Sequence, residues 1–171
     1  SISNMPSLTT LDLSGCSNLH TLSDFQCLSM LDKLIMKDCA SLERLPQIVD
    51  HGEYPRSSAL TELNLSGCVA LKSLPDFASL GELTHLDLSG SACLYDLSQL
   101  TPAKQLKSLR LRECNQLYGL FGIEELIELR ELDLSRYHPS LMGVVELREL
   151  TYLERLWPTS LWKLIPRMPH P

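Results

Sequence analysis

Leu60-Thr61-Glu62-Leu63-Asn64-Leu65-Ser66-Gly67-Cys68-Val69-Ala70-Leu71-Lys72-Ser73-Leu74-Pro75 is the stretch from which the fold can be read. With Leu60 as position 1, leucine stands at 1, 4 and 6, and a serine-glycine-cysteine turn at 7 to 9. Leucine returns at 12 and 15, and proline follows at 16. The opening triplet also occurs at Leu8-Leu11-Leu13, Leu31-Leu34-Met36, Leu83-Leu86-Leu88, Leu106-Leu109-Leu111 and Leu129-Leu132-Leu134. Its starts lie 23, 29, 23, 23 and 23 residues apart. A unit this short cannot bury its own apolar face and must stack on its neighbours, so the chain reads as a one-dimensional array.

Alternation within each unit sets the architecture. Positions 3 to 7 form a short strand with leucines 4 and 6 on the buried face and residues 3, 5 and 7 on the other. Successive strands pair in parallel, and further buried leucines follow at position 12 (Leu19, Leu42, Leu71, Leu94, Leu117) and position 15 (Leu22, Leu45, Leu74, Leu97, Leu120). A 23-residue unit leaves little room for a convex helix, and Pro46 and Pro75 favour an extended or turned return path. The period lies in the leucine-rich-repeat range. The expected fold is thus an α/β-type solenoid: a horseshoe with a curved parallel sheet on its concave face and short 3₁₀ or irregular convex segments.

The array is expected to fill residues 1–171 as one domain, with units starting at 8, 31, 60, 83, 106 and 129. Six extra residues fall in an insertion loop over 47–59, and residues 138–171 read as a degenerate unit and cap. A strand start at Leu150 puts Arg155 in a core position, and a start at Leu153 puts Pro158 there. Trp157 and Trp162 are assigned to the cap.

Composition narrows the function. Apolar residues make up 44% of the chain and aromatics only 6%, so leucine carries the core. A net charge of −6 speaks against a nucleic-acid partner. No apolar run approaches the length that crosses a bilayer. Cys16, Cys39, Cys68 and Cys114 all occupy position 9, where the chain turns inward and buried backbone groups need partners; they read as a structural ladder serving the next coil. Ser91 and Tyr137 interrupt it, and Cys27 and Cys93 lie off it. Cysteines so placed indicate a reduced, intracellular chain, and the sequon at Asn64 reads as a chance match within a strand.

Catalysis needs converging groups. The histidines His20, His51, His85, His138 and His170 lack metal-ligand spacing, and no nucleophile or glycine-rich phosphate motif occurs. The chain is therefore read as a non-enzyme without cofactor or metal. Recognition is assigned to the concave columns. Position 3 reads Thr10, Lys33, Glu62, His85, Ser108, Glu131; position 5 reads Asp12, Ile35, Asn64, Asp87, Arg110, Asp133; position 7 reads Ser14, Lys37, Ser66, Ser89, Arg112, Ser135. Lys33, Ile35 and Lys37 set unit 2 apart, and Arg110 and Arg112 unit 5. The two basic stripes are three strand spacings apart, about 14 Å at ~4.8 Å each. Such an alternation can set the register of a protein partner, although any solvated sheet face also collects charges that pair with one another. His51, Glu53 and Tyr54 in the insertion are further candidate contacts.

The phrases Leu11-Asp12-Leu13-Ser14-Gly15-Cys16-Ser17-Asn18-Leu19 and Leu63 to Pro75 resemble the leucine-rich repeats of plant intracellular nucleotide-binding immune receptors. The resemblance covers about residues 5 to 135. It implies a cytoplasmic or nucleo-cytoplasmic sensor whose repeats contact pathogen effectors and restrain the receptor's own nucleotide-binding region. The chain opens part-way through a unit and reads as a fragment of a longer array. The alternatives are a substrate-adaptor subunit of a ubiquitin ligase, against which the leucine at position 12 counts, and a cell-surface receptor ectodomain, which predicts paired cap cysteines. Oligomeric state is left open.

Overall fold

The computed structural model describes residues 5–22, 28, 30–45, 59–75, 77–136 and 144–164. Among these residues seven three-residue strands form one parallel sheet in chain order: β1 (Thr10–Asp12), β2 (Lys33–Ile35), β3 (Glu62–Asn64), β4 (His85–Asp87), β5 (Ser108–Arg110), β6 (Glu131–Asp133) and β7 (Arg155–Trp157). The register pairs like positions throughout, with Leu11, Leu34, Leu63, Leu86, Leu109, Leu132 and Leu156 in one row. The six extra residues of unit 2 leave this register unchanged, since Leu34 still faces Leu63.

The leucine spacing accounts for the core. From unit 2 onward the leucines or methionine at positions 1, 4 and 6 are nearly inaccessible, while Leu8, Leu11, Leu13 and Leu19 of unit 1 are only partly buried. Two further buried columns lie on the return path, Phe77, Leu100 and Ile123 at position 18 and Leu80, Ala103 and Leu126 at position 21. They sit in and after 3₁₀ turns at Phe77–Ser79, Ser98–Leu100 and Ile123–Glu125, so the convex side is built as expected from short turns. Val144–Glu149 and Thr159–Leu164 are longer 3₁₀ segments.

The turn after each strand needs a left-handed residue at position 8. Gly15, Gly67 and Gly90 supply it with φ of +74°, +75° and +74°, and Asp38, Glu113 and Arg136 adopt the same conformation at 57°, 60° and 60°. In this geometry the position 8 N–H reaches the next unit, as from Gly67 to the Ser89 carbonyl at 2.7 Å and from Glu113 to that of Ser135 at 3.2 Å. Glycine is the unstrained choice there.

The cysteine ladder is present, with its direction reversed from expectation. Sγ of Cys39 donates to the Leu13 carbonyl at 3.3 Å, that of Cys68 to Met36 at 3.1 Å, and that of Cys114 to Leu88 at 3.2 Å. Each thiol thus serves the preceding coil, because the inward turn lays position 9 under the previous unit's position 6 carbonyl. Burial pushes the Cys68 thiol up to about 11 and that of Cys114 up to about 12. Protonated thiols are donors and poor nucleophiles or metal ligands. Ser91, with a shorter Cβ–O bond in the same place, is buried and its hydroxyl has no partner.

The end of the chain corrects one expectation. Unit 7 starts at Leu153 and forms a strand, β7, with Leu156 buried in the leucine row. Pro158 falls at position 6, whose N–H would serve a following strand. In β6 the same position, Leu134, donates its N–H to the Trp157 carbonyl at 2.7 Å, and Pro158 has no N–H to donate onward. Trp157 is therefore placed at position 5 beside Asp133 on the open face, not in a cap.

Candidate functional site: the open face of the sheet

Strands of three residues turn only positions 3 and 5 to the open side, where Ser108 alone is buried, and position 7 lies just beyond, so among the described residues this face is three columns wide and seven units long. The leucine row behind it is fixed, and the columns in front carry the variation. Lys33, Ile35, Glu62, Asn64, His85, Asp87, Arg110 and Asp133 all lie on this face, with Lys37 and Arg112 at its rim. His51, Glu53 and Tyr54 lie outside the described residues, as do Cys27 and Tyr137.

Many of the acidic and amide groups are engaged within their own unit. Oδ1 of Asp12 accepts from the Ser14 amide at 2.9 Å and its hydroxyl at 2.6 Å, which holds the Asp12 carboxyl below its ordinary range. Asn64 holds Ser66 in the same way at 3.0 and 2.8 Å. Asp87 and Asp133 accept the amides of Ser89 and Ser135 at 2.9 and 2.8 Å. Position 5 thus closes an Asx turn in units 1, 3, 4 and 6. The Asp/Asn-x-Ser spacing carries the sequence signal for this structural role, which the charge pattern of the columns does not show.

Cross-strand neighbours bind other charges. Lys33 Nζ lies 2.9 Å from Glu62 Oε2, and Arg155 Nη1 lies 2.7 Å from Glu131 Oε1. His85 shares a 2.8 Å hydrogen bond between Nδ1 and the Thr84 hydroxyl. The stripe in unit 2 is therefore partly neutralised by its neighbour. Unit 5 differs. Arg110 Nη1 is 3.7 Å from Asp87 Oδ2, and Arg112 Nε is 3.4 Å from Glu113 Oε1, an oxygen that Arg136 contacts more closely at 2.9 Å. Arg110 and Arg112 side chains are 58% and 50% exposed, leaving most of their guanidinium donors open.

Two shallow concavities follow. One of about 350 Å³ lies over β2 to β5, between Lys33, Glu62, His85 and Arg110. The other, about 400 Å³, lies over β4 to β7 and is bounded by Arg110, Arg112, Asp133 and Trp157. No cluster of three or more metal-ligating side chains occurs among the described residues. No helix among them is long and apolar enough to cross a membrane.

Comparisons with known proteins agree with this architecture. A family model described as Zer-1-like leucine-rich repeats matches residues 76–165, and a leucine-rich-repeat model matches residues 7–28. Disease resistance protein RPP4 of Arabidopsis thaliana is 33% identical over 132 residues, covering 68% of this chain and 12% of that protein. Disease resistance protein RPS4 of the same plant is 34% identical over 139 residues, covering 81% and 11%. TMV resistance protein N of Nicotiana glutinosa is 30% identical over 143 residues, covering 70% and 12%. The chain thus spans roughly an eighth of the length of these relatives. An internalin C2 from Listeria monocytogenes shares the fold, with a TM-score of 0.53 and 22% identity over 86% of this chain and 50% of that one. The chain belongs to the leucine-rich-repeat family, a protein-interaction module whose repeats here resemble those of plant disease resistance proteins.

Proposed function

We propose that this chain is the effector-sensing and autoinhibitory repeat region of a plant-type intracellular immune receptor, working in the cytoplasm by binding protein across the open face. The observation that carries the reading is the pairing of a fixed leucine ladder with front columns that change from unit to unit, in a chain similar to plant disease resistance proteins. A rigid backing with variable side chains supplies recognition without preparatory folding. The bound protein is a pathogen effector or the receptor's own nucleotide-binding region, and the chain itself carries out no catalysis.

The test is partner capture from plant extracts containing candidate effectors and from cells expressing the nucleotide-binding region. The wild type is compared with a folded variant in which Lys33, Lys37, Arg110 and Arg112 are serine. A partner held by the wild type and lost by the variant supports the open face. A partner held equally by both sinks it and directs attention to the 47–59 segment.

A further inference from the structure

Arg110, Asp133 and Trp157 form one row across β5, β6 and β7, because the register pairs Arg110 with Asp133 and Asp133 with Trp157. Arg112 projects from the same side two residues after Arg110. Together they border the 400 Å³ concavity, with Ser108 and Glu131 beneath. The acidic groups nearby already have partners: Glu131 holds Arg155 at 2.7 Å and accepts from Ser108 at 3.4 Å, and Asp133 holds the Ser135 amide. The unfilled groups are guanidinium N–H donors at one end and a 39% exposed indole at the other.

We propose that this end of the open face docks an extended segment of a protein partner bearing one carboxylate and one apolar side chain three residues apart. The inference rests on reading the open face as a protein-recognition surface and names the part of the partner that is read. The carboxylate seats between Arg110 and Arg112, where planar guanidinium forks favour a bidentate acceptor. The apolar side chain lies on Trp157, a large surface that loses little side-chain freedom on contact. Two strand spacings separate the ends, about 9.6 Å at ~4.8 Å each. A polyproline-II segment advances ~3.1 Å per residue, so three residues span about 9.3 Å. Asp87 and Asp133 flank the arginines and repel a second acid, so the site selects a single carboxylate over an acidic tract.

The probe is a fluorescein-labelled, C-terminally amidated octapeptide, Gly-Ser-Glu-Pro-Pro-Leu-Ser-Gly, followed by anisotropy at low salt. Its glutamine analogue and a version with one proline removed are the comparison peptides. Saturable binding is expected, weakened at least tenfold by the glutamine analogue and by Arg110→Ser with Arg112→Ser. Trp157→Ser and the shortened peptide should each weaken it at least threefold, and Lys72→Ser, off the sheet face, should leave it unchanged. No binding, equal binding of the glutamine analogue, or indifference to Trp157→Ser overturns the proposal. If those negative results accompany a protein partner that the four-fold serine variant still loses, the docking segment is wrong while the open-face reading stands. If that partner is also kept, both fall.

Discussion

Units 3 and 5 follow the same backbone path and use their side chains in opposite ways. Unit 3 ties Asn64 to Ser66 and puts Gly67 in the left-handed turn. Unit 5 has Arg110, Arg112 and Glu113 at those three places, with no Asx turn and with a non-glycine residue at φ 60°. The strands still pair in register on both sides, and the position 8 amide still reaches the next unit. The fold therefore requires the leucines and the turn conformation, while the short polar side chains are an option. Where a unit gives that option up, its side chains become available to something else.

The buried leucines are common to both units, and truncating them has the largest expected effect. Leu63→Ala and Leu109→Ala should each cost about 2–5 kcal/mol, the range for a buried leucine truncated in a core that cannot fully collapse. Urea denaturation of the two variants would measure this, and a negligible cost in one unit would mean that they do not share a core.

The thiol ladder comes next. In the unfolded chain these thiols ionise near the ordinary 9.0, while the folded chain holds the proton to about 11 at Cys68 and about 12 at Cys114. Above pH 9 the unfolded chain binds fewer protons than the folded one, so stability falls as pH rises, on the order of 2 kcal/mol per thiol by pH 11. Denaturation midpoints measured from pH 8 to 11 should drop more steeply in the wild type than in a Cys68→Ala, Cys114→Ala variant. Equal slopes would remove the thiols from the account.

Position 8 separates glycine from other residues by its left-handed backbone. Gly67→Ala must hold a side chain at φ +75°, a cost of about 1–2 kcal/mol. Its Cβ would also lie 2.1 Å from the Asp38 carboxylate, so that group must move as well. Gly15→Ala meets open space and should lose less. Thermal unfolding of the pair tests the order. The smallest effect is a gain: Ser91→Cys supplies a sulfur long enough to reach the Leu65 carbonyl, as Cys114 reaches Leu88, and should add about 1 kcal/mol. A lower melting temperature would show that the serine niche is too tight for sulfur.

Much of this fold was legible because its rules are local. The triplet spacing gives strand positions, the repeat gives register, and alternation tells inner from outer side chains. The same rules put all ten candidate residues of units 2 to 6 on or beside one face. What was not legible depends on neighbours 23 or more residues away. Whether Lys33 closes on Glu62 while Arg112 shares Glu113 with Arg136 is a matter of side-chain reach across strands. Trp157 was missed because Pro158 made the last unit look broken. A proline at position 6 removes the N–H that this position donates in other units, yet it leaves positions 3 to 5 free to pair with the preceding strand, as β7 does with β6.

Unit 2 is six residues longer than its neighbours, yet Lys33, Leu34 and Ile35 pair with Glu62, Leu63 and Asn64 as though those residues were absent. Length and register are thus uncoupled in this coil: six more residues leave the open face in phase. For an engineer, coil length is then a variable separate from strand register: a 29-residue unit sits among 23-residue ones without re-indexing the surface.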